Sequence, residues 1–239
     1  MNNSAGRFAT TQWSLVLAAA GDEEASRQAL AALCRQYWHP LYCYVRRRGS
    51  SAADAQDLTQ AFFVLLLEKH MLEVADPQRG RFRSLLLTSL KNFLANQARC
   101  ESAEKRGGGV QHFPLDFDDG ERRMRNEPAD NLTPEKLYER RWALTLLEAS
   151  LEQLEQEYQS ADKSALFAAL RPLLTPAAEA PPYRELAERL GATEGAIKVA
   201  VHRLRRRYGE VLRERVAQTV ASPDDVDDEL RQLMSALGA

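Results

Sequence analysis

Apolar residues recur three and four positions apart along most of this chain, and no stretch alternates long enough to make a strand. The pattern predicts an all-α protein. Thr10 or Thr11 can cap a first short helix ending near Ala20, and Asp22 a second running to about Trp38. Pro40 then stands where another helix can begin, because a first-turn proline forfeits no needed donor. Ser51 with Asp54 three residues later predicts a capped helix reaching about Lys69. Within it Leu58, Ala61, Phe62 and Leu65 form one apolar stripe, while Phe63 and Leu67 fall on another face. Beyond a turn holding Asp76, Pro77 and Gly80, the positions of Phe82, Leu86, Leu90, Phe93 and Leu94 predict a long helix to about Glu104.

Three consecutive glycines, Gly107 to Gly109, open a mixed-charge segment without apolar periodicity that reads as a linker to Asn131. Taken as a coil of about 27 residues it spans roughly 30 Å relaxed and roughly 90 Å stretched. Thr133, Pro134 and Glu135 then mark a sharp helix start, followed by Leu137, Leu144, Leu147, Leu151, Leu154 and Tyr158 at heptad-like spacing. A shorter helix covers about Lys163 to Leu174, and a proline-rich loop ends at Pro182. The expected organisation is therefore a domain over 1–106, a flexible linker over 107–132, a domain over 133–220 and a tail over 221–239. In the tail, Ser222 and Pro223 precede a helix whose Val226, Leu230, Leu233 and Leu237 share one face. So short a helix needs a surface to pack on. It either completes the core of the second domain or docks reversibly near the basic stretch from Lys198 to Arg207.

That stretch is where charge enters the picture. The 239 residues carry a net charge of only −2. Yet Lys198, Arg203, Arg205, Arg206 and Arg207 occur within ten positions without a carboxylate. The tail is the reverse, with Asp224, Asp225, Asp227, Asp228 and Glu229 against Arg231 alone. A local basic stripe suits phosphates whatever the total charge. Cys34, Cys43 and Cys100 are scattered, no apolar run approaches the length of a membrane span, and the N-terminus lacks a secretion signal. A cytoplasmic protein without membrane insertion is expected. The glycine triplet lacks a following Gly-Lys-Ser/Thr, and no His/Cys/Asp/Glu cluster has ligand spacing, so no enzyme, metal or cofactor is expected.

The basic stretch lies inside a helix-turn-helix pattern. A short helix from Tyr183 to Leu190 stops at Gly191, the residue best suited to a left-handed helix end, and Thr193 can cap a second helix at once. Ile197, Val201 and Leu204 make its buried seam. Thr193, Glu194, Lys198, His202, Arg203 and Arg206 fall elsewhere and can reach bases or phosphates.

The sequence from Pro182 to Tyr208, PYRELAERLGATEGAIKVAVHRLRRRY, resembles region four of extracytoplasmic-function (ECF) sigma factors. Asp54 to Leu67 resembles the region-two segment that docks on core RNA polymerase, and Arg79 to Arg99 the segment that melts and reads the minus-ten element. The resemblance implies core-polymerase binding by Asp54, Asp57, Gln60, Phe63 and Leu67. It implies minus-ten contacts by Arg79, Arg81, Arg83, Thr88, Lys91, Asn92, Asn96 and Arg99, and minus-thirty-five contacts by the six outward residues of the second helix. The implied partners are bacterial core RNA polymerase and promoter DNA, with control by an anti-sigma factor, a kinase or the tail left open. Val199 and Ala200 depart from the charged or hydroxyl residues common in the family, and Gln56 from an acidic one. A conventional helix-turn-helix regulator with a helical partner domain is the alternative reading.

Overall fold

The computed structural model describes residues 23–68, 81–101, 115–125, 132–174 and 181–238. The expected helix ending near Ala20 and the turn carrying Arg79 lie outside these. Every described element is helical: α1 (Glu23–Arg47), α2 (Ala52–Glu68), α3 (Phe82–Glu101), α4 (Phe117–Arg125), α5 (Pro134–Ser160), α6 (Ser164–Leu170), α7 (Tyr183–Leu190), α8 (Glu194–Ala217) and α9 (Val226–Leu237), with 3₁₀ turns at Arg171–Leu173 and Pro223–Asp225. The chain forms two units, one from Met1–Thr145 with Val216–Ala239 and the other from Leu146–Arg215.

In the first unit α1 runs unbroken through Pro40, correcting the expectation that a new helix begins there. The proline removes one backbone donor, but its helix is held by burial of Tyr37, Leu41, Tyr42 and Val45 around it. The start of α2 is capped as its sequence predicts: the Asp54 N–H donates to Ser51 Oγ at 3.1 Å, and that hydroxyl donates to the Asp54 carboxylate at 2.6 Å. The inward stripe of α2 is rotated from the expected one and consists of Ala55, Thr59, Phe62, Phe63 and Leu66. Thr59 can stand in a core because its hydroxyl bonds the Ala55 carbonyl one turn back at 2.7 Å. In α3 the expected Phe82, Leu86, Leu90 and Phe93 are all buried. The N-terminal half of α5 closes this core, with Trp142 stacked on Tyr37 at 4.2 Å and the Tyr138 hydroxyl donating to the Arg83 carbonyl at 2.9 Å.

The expected linker is not a continuous coil. Asp116 caps α4 by accepting the Asp119 N–H at 3.0 Å, and Phe117 packs edge-on to Trp38 at 4.9 Å. Glu121 accepts hydrogen bonds from Arg46 Nε and the Tyr42 hydroxyl, both at 2.6 Å. Gly120 lies so close to α1 that a Cβ there would stand 2.6 Å from the Trp38 ring. Only a glycine permits that approach. Nine residues carry too few apolar side chains to show a helical period, so the segment reads as linker from sequence.

The tail also lies elsewhere than expected. Its helix α9 belongs to the first unit, which corrects both placements on the second domain. Val226 and Leu233 are buried, and Glu229 is 0% exposed. The Glu229 carboxylate takes Arg83 Nε at 2.7 Å and its Nη2 at 3.1 Å, and Arg81 Nε at 2.7 Å. Arg83 further donates to Gln232 at 2.9 Å and Glu139 at 3.1 Å. Thr219, just before the tail, accepts the first N–H of α3 at 2.9 Å.

The second unit is built from the C-terminal half of α5 with α6, α7 and most of α8. Leu154, Phe167, Leu170, Leu173, Leu186, Ile197, Val201 and Leu204 form its core. Along α5 the most buried line is Tyr138, Trp142, Leu146, Ser150 and Leu154, spaced by four, rather than the expected leucine heptad. Ser150 joins it by donating to the Leu146 carbonyl at 2.7 Å.

His39 is expected to make the first unit acid-sensitive. Burial, then the nearby Arg141 cation, lowers its pKa from 6.5 to about 4, and its Nε2 lies 3.4 Å from the Gly120 carbonyl oxygen. As pH falls through 6.5 the unfolded chain takes up this proton while the folded protein does not. Stability present above pH 6.5 is therefore lost toward pH 4, by about 2 kcal/mol between pH 7 and pH 5. Denaturant unfolding at both pH values should show that difference shrinking in His39→Gln, and an unchanged difference would acquit the histidine. For the tail, Glu229→Ala should cost on the order of 3–5 kcal/mol by stranding Arg83, and the pair Arg83→Met with Glu229→Leu should recover most of it. A loss under about 1 kcal/mol in equilibrium unfolding would show the ion pair to be dispensable.

Candidate nucleic-acid interface

The helix-turn-helix of the second unit is set by its turn. Gly191 adopts φ 60° and ψ 35°, and the Ala192 N–H returns to the Ala187 carbonyl at 2.9 Å, closing α7 with a left-handed stop. Two residues later Thr193 Oγ1 accepts the Ala196 N–H at 3.2 Å and so starts α8. Ile197, Val201 and Leu204 are buried along one seam. That orientation turns Glu194, Lys198, His202, Arg203 and Arg206 outward, and all five are exposed. Thr193 is exposed too, with its hydroxyl committed to the cap.

The basic residues of α8 divide into two groups. Arg205 donates twice to the Leu173 carbonyl, at 2.8 and 3.2 Å, and Arg207 reaches Glu157 at 2.8 Å, Glu214 at 3.1 Å and Glu210 at 3.4 Å. Bonding to Glu157 raises the Arg207 pKa above its ordinary value and lowers that of Glu157. These two arginines fasten the helix. Among the described residues Arg206 makes only an exposed pair with Glu210 at 3.0 Å, which solvent screens. Val199, noted in the sequence as a departure from the family, is 50% exposed on the same outward side, although it is not among the expected contacts.

In the first unit, Thr88, Asn92, Asn96 and Arg99 share the exposed side of α3, as expected. Lys91 is held by Glu135 at 2.8 Å, a bond that raises its pKa, and lies 5.8 Å above the Tyr44 ring. Arg83 is corrected as a DNA contact: it is 5% exposed and its guanidinium is engaged by Glu229, Glu139 and Gln232. Arg81 is paired with Asp228 and Glu229. Arg79 lies outside the described residues.

On α2, Asp54 and Asp57 are exposed. Gln60 and Phe63 are corrected as surface residues, since Phe63 is 2% exposed and packs beside Phe62 in the core. The Leu67 side chain lies outside the description. Rotation of the stripe leaves Leu58, Ala61 and Leu65 partly exposed instead. They follow Asp54 and Asp57 at helical spacing on one side, so the apolar surface beside the carboxylates consists of residues first assigned to the core.

Among the described residues no His/Cys/Asp/Glu group could hold a metal ion, and no helix is long and apolar enough to cross a membrane. A family model for ECF sigma factors matches residues 14–214. The ECF RNA polymerase sigma factor SigE of Mycolicibacterium smegmatis is 25% identical over 207 residues, which cover 87% of this chain and 70% of that protein. No solved structure matches the chain with significance. The family match runs through both units and ends three residues short of the end of α8; the chain thus belongs to the ECF sigma factor family, and with that membership come its work in transcription initiation and its two partners, RNA polymerase and promoter DNA.

Proposed function

We propose that the two units divide the sigma-factor task by element. Helix α8 reads the minus-thirty-five element through Lys198, His202, Arg203 and Arg206, and the exposed side of α3 meets minus-ten DNA through Thr88, Asn92, Asn96 and Arg99. Helix α2 docks on core polymerase through Asp54 and Asp57 with the apolar surface of Leu58, Ala61 and Leu65 beside them. The observation that carries this reading is the outward face of α8: it is basic, exposed and fixed in direction by the Gly191 stop, the Thr193 cap and the buried seam. A convex helix bearing such a face fits the major groove, where arginine can bond two atoms of a guanine edge. The polar side of α3 suits unpaired bases and backbone in the same way.

Run-off transcription with core polymerase across a promoter library tests the division. Arg203→Ala should lower affinity for the preferred upstream element by about 1–3 kcal/mol with little change in melting temperature. Arg207→Ala should do the opposite, lowering melting temperature more than promoter affinity, because Arg207 is spent on three glutamates. Equal effects of the two substitutions on promoter binding would refute the sorting of α8 arginines.

Asp57→Lys should weaken capture of core polymerase while circular dichroism and melting temperature stay near wild type, since an exposed charge reversal costs folding little. Leu65→Asp should do the same, whereas Phe63→Asp should unfold the first unit. Full core binding by folded Asp57→Lys and Leu65→Asp together would remove α2 from the interface.

A further inference from the structure

We infer that Val199 reads the methyl group of a thymine in the upstream promoter element, an inference that rests on α8 being the recognition helix. Val199 is 50% exposed, and the other large hydrophobic side chain so exposed among the described residues, Met234, sits on α9. A lone surface valine is ordinary. Its position on α8 is what gives this one meaning. An α-helix turns about 100° per residue, so Val199 stands roughly 160° around the axis from both Ile197 and Val201. Those two are buried against the unit's core, and Val199 therefore projects from the middle of the outward face. Lys198 and His202 lie to one side and Arg203 to the other, all exposed.

One turn earlier the same line passes through Gly195. A Cβ there would find nearly open space, its closest neighbour being the Thr193 hydroxyl at 3.9 Å. The bare backbone lets the start of α8 approach the floor of a groove, the close approach for which glycine is suited. The face thus presents a small residue, then a branched apolar one, inside a basic rim. A side chain without donors or acceptors cannot read guanine, adenine or cytosine by hydrogen bonding. The thymine C5-methyl is the one apolar group that the bases show in the major groove. Valine has a stiff χ1, so its methyls are presented with little rotamer entropy to lose. The cationic rim supplies the phosphate attraction that brings the groove to it.

The test uses the full-length chain with core polymerase. Promoters are first selected from a randomised duplex library, and each thymine of the enriched upstream element is then replaced by deoxyuridine, which removes only the methyl. One replacement should weaken binding by about three- to ten-fold, the scale of a lost methyl contact. Val199→Ala should show lower affinity for the thymine-containing duplex and no response to deoxyuridine at that position. Indifference of the wild-type protein to every replacement, an enriched element without thymine, or equal sensitivity of Val199→Ala would each overturn the role of Val199. Failure to enrich any upstream element would instead sink the reading of α8 itself, and it is visible before any deoxyuridine is introduced.

Discussion

A guanidinium and a carboxylate removed from water hold the first unit in register. Arg83 and Glu229 are each costly to bury, and neither could remain where it is without the other. Their bidentate geometry fixes the direction of both side chains at once. Through Arg83 it fixes the first turn of α3, whose opening N–H is closed by Thr219 and whose Arg83 carbonyl takes the Tyr138 hydroxyl. The same carboxylate therefore joins three segments far apart in sequence. It lies beyond residue 214, where the family match ends. The tail, outside the family match, nonetheless shares a core with segments inside it.

This pairing separates two uses of basic residues that look alike in the sequence. Arg83, Arg205 and Arg207 spend their donors on carbonyls and carboxylates of their own unit. Lys198, His202 and Arg203 stand on exposed helix surface. A run such as Arg203, Arg205, Arg206 and Arg207 cannot be read as one binding patch, because a helix sends its members to different sides.

The helix-turn-helix was legible because each part has a local cause. Gly191 takes a left-handed conformation, Thr193 offers a capping oxygen, and Ile197, Val201 and Leu204 keep helical spacing, so all three are visible without the fold. The order of the family motifs was visible for the same reason. The stripe of α2 was misread because Thr59 looks polar, and that of α5 because Ser150 does. Each hides its hydroxyl by bonding the carbonyl four residues back, a satisfaction that hydropathy does not register. Helix α4 was missed for another reason: what it needs from Gly120 is an absence of atoms beside Trp38, and a glycine in a mixed-charge segment resembles any other loop glycine. The pairing of Arg83 with Glu229 spans 146 positions and leaves no local trace.

The glutamate cage around Arg207 bears on how binding responds to ionic strength. Association with duplex DNA releases roughly 0.9 counterion for each phosphate that a protein cation neutralises. A guanidinium already neutralised by Glu157, Glu210 and Glu214 contributes little to that release, and one directed at the Leu173 carbonyl is poorly placed to do so. Helix α8 therefore acts with a smaller effective charge than its composition suggests. On the proposed reading of α8, its affinity for DNA should vary more gently with salt than five basic residues in ten positions would suggest.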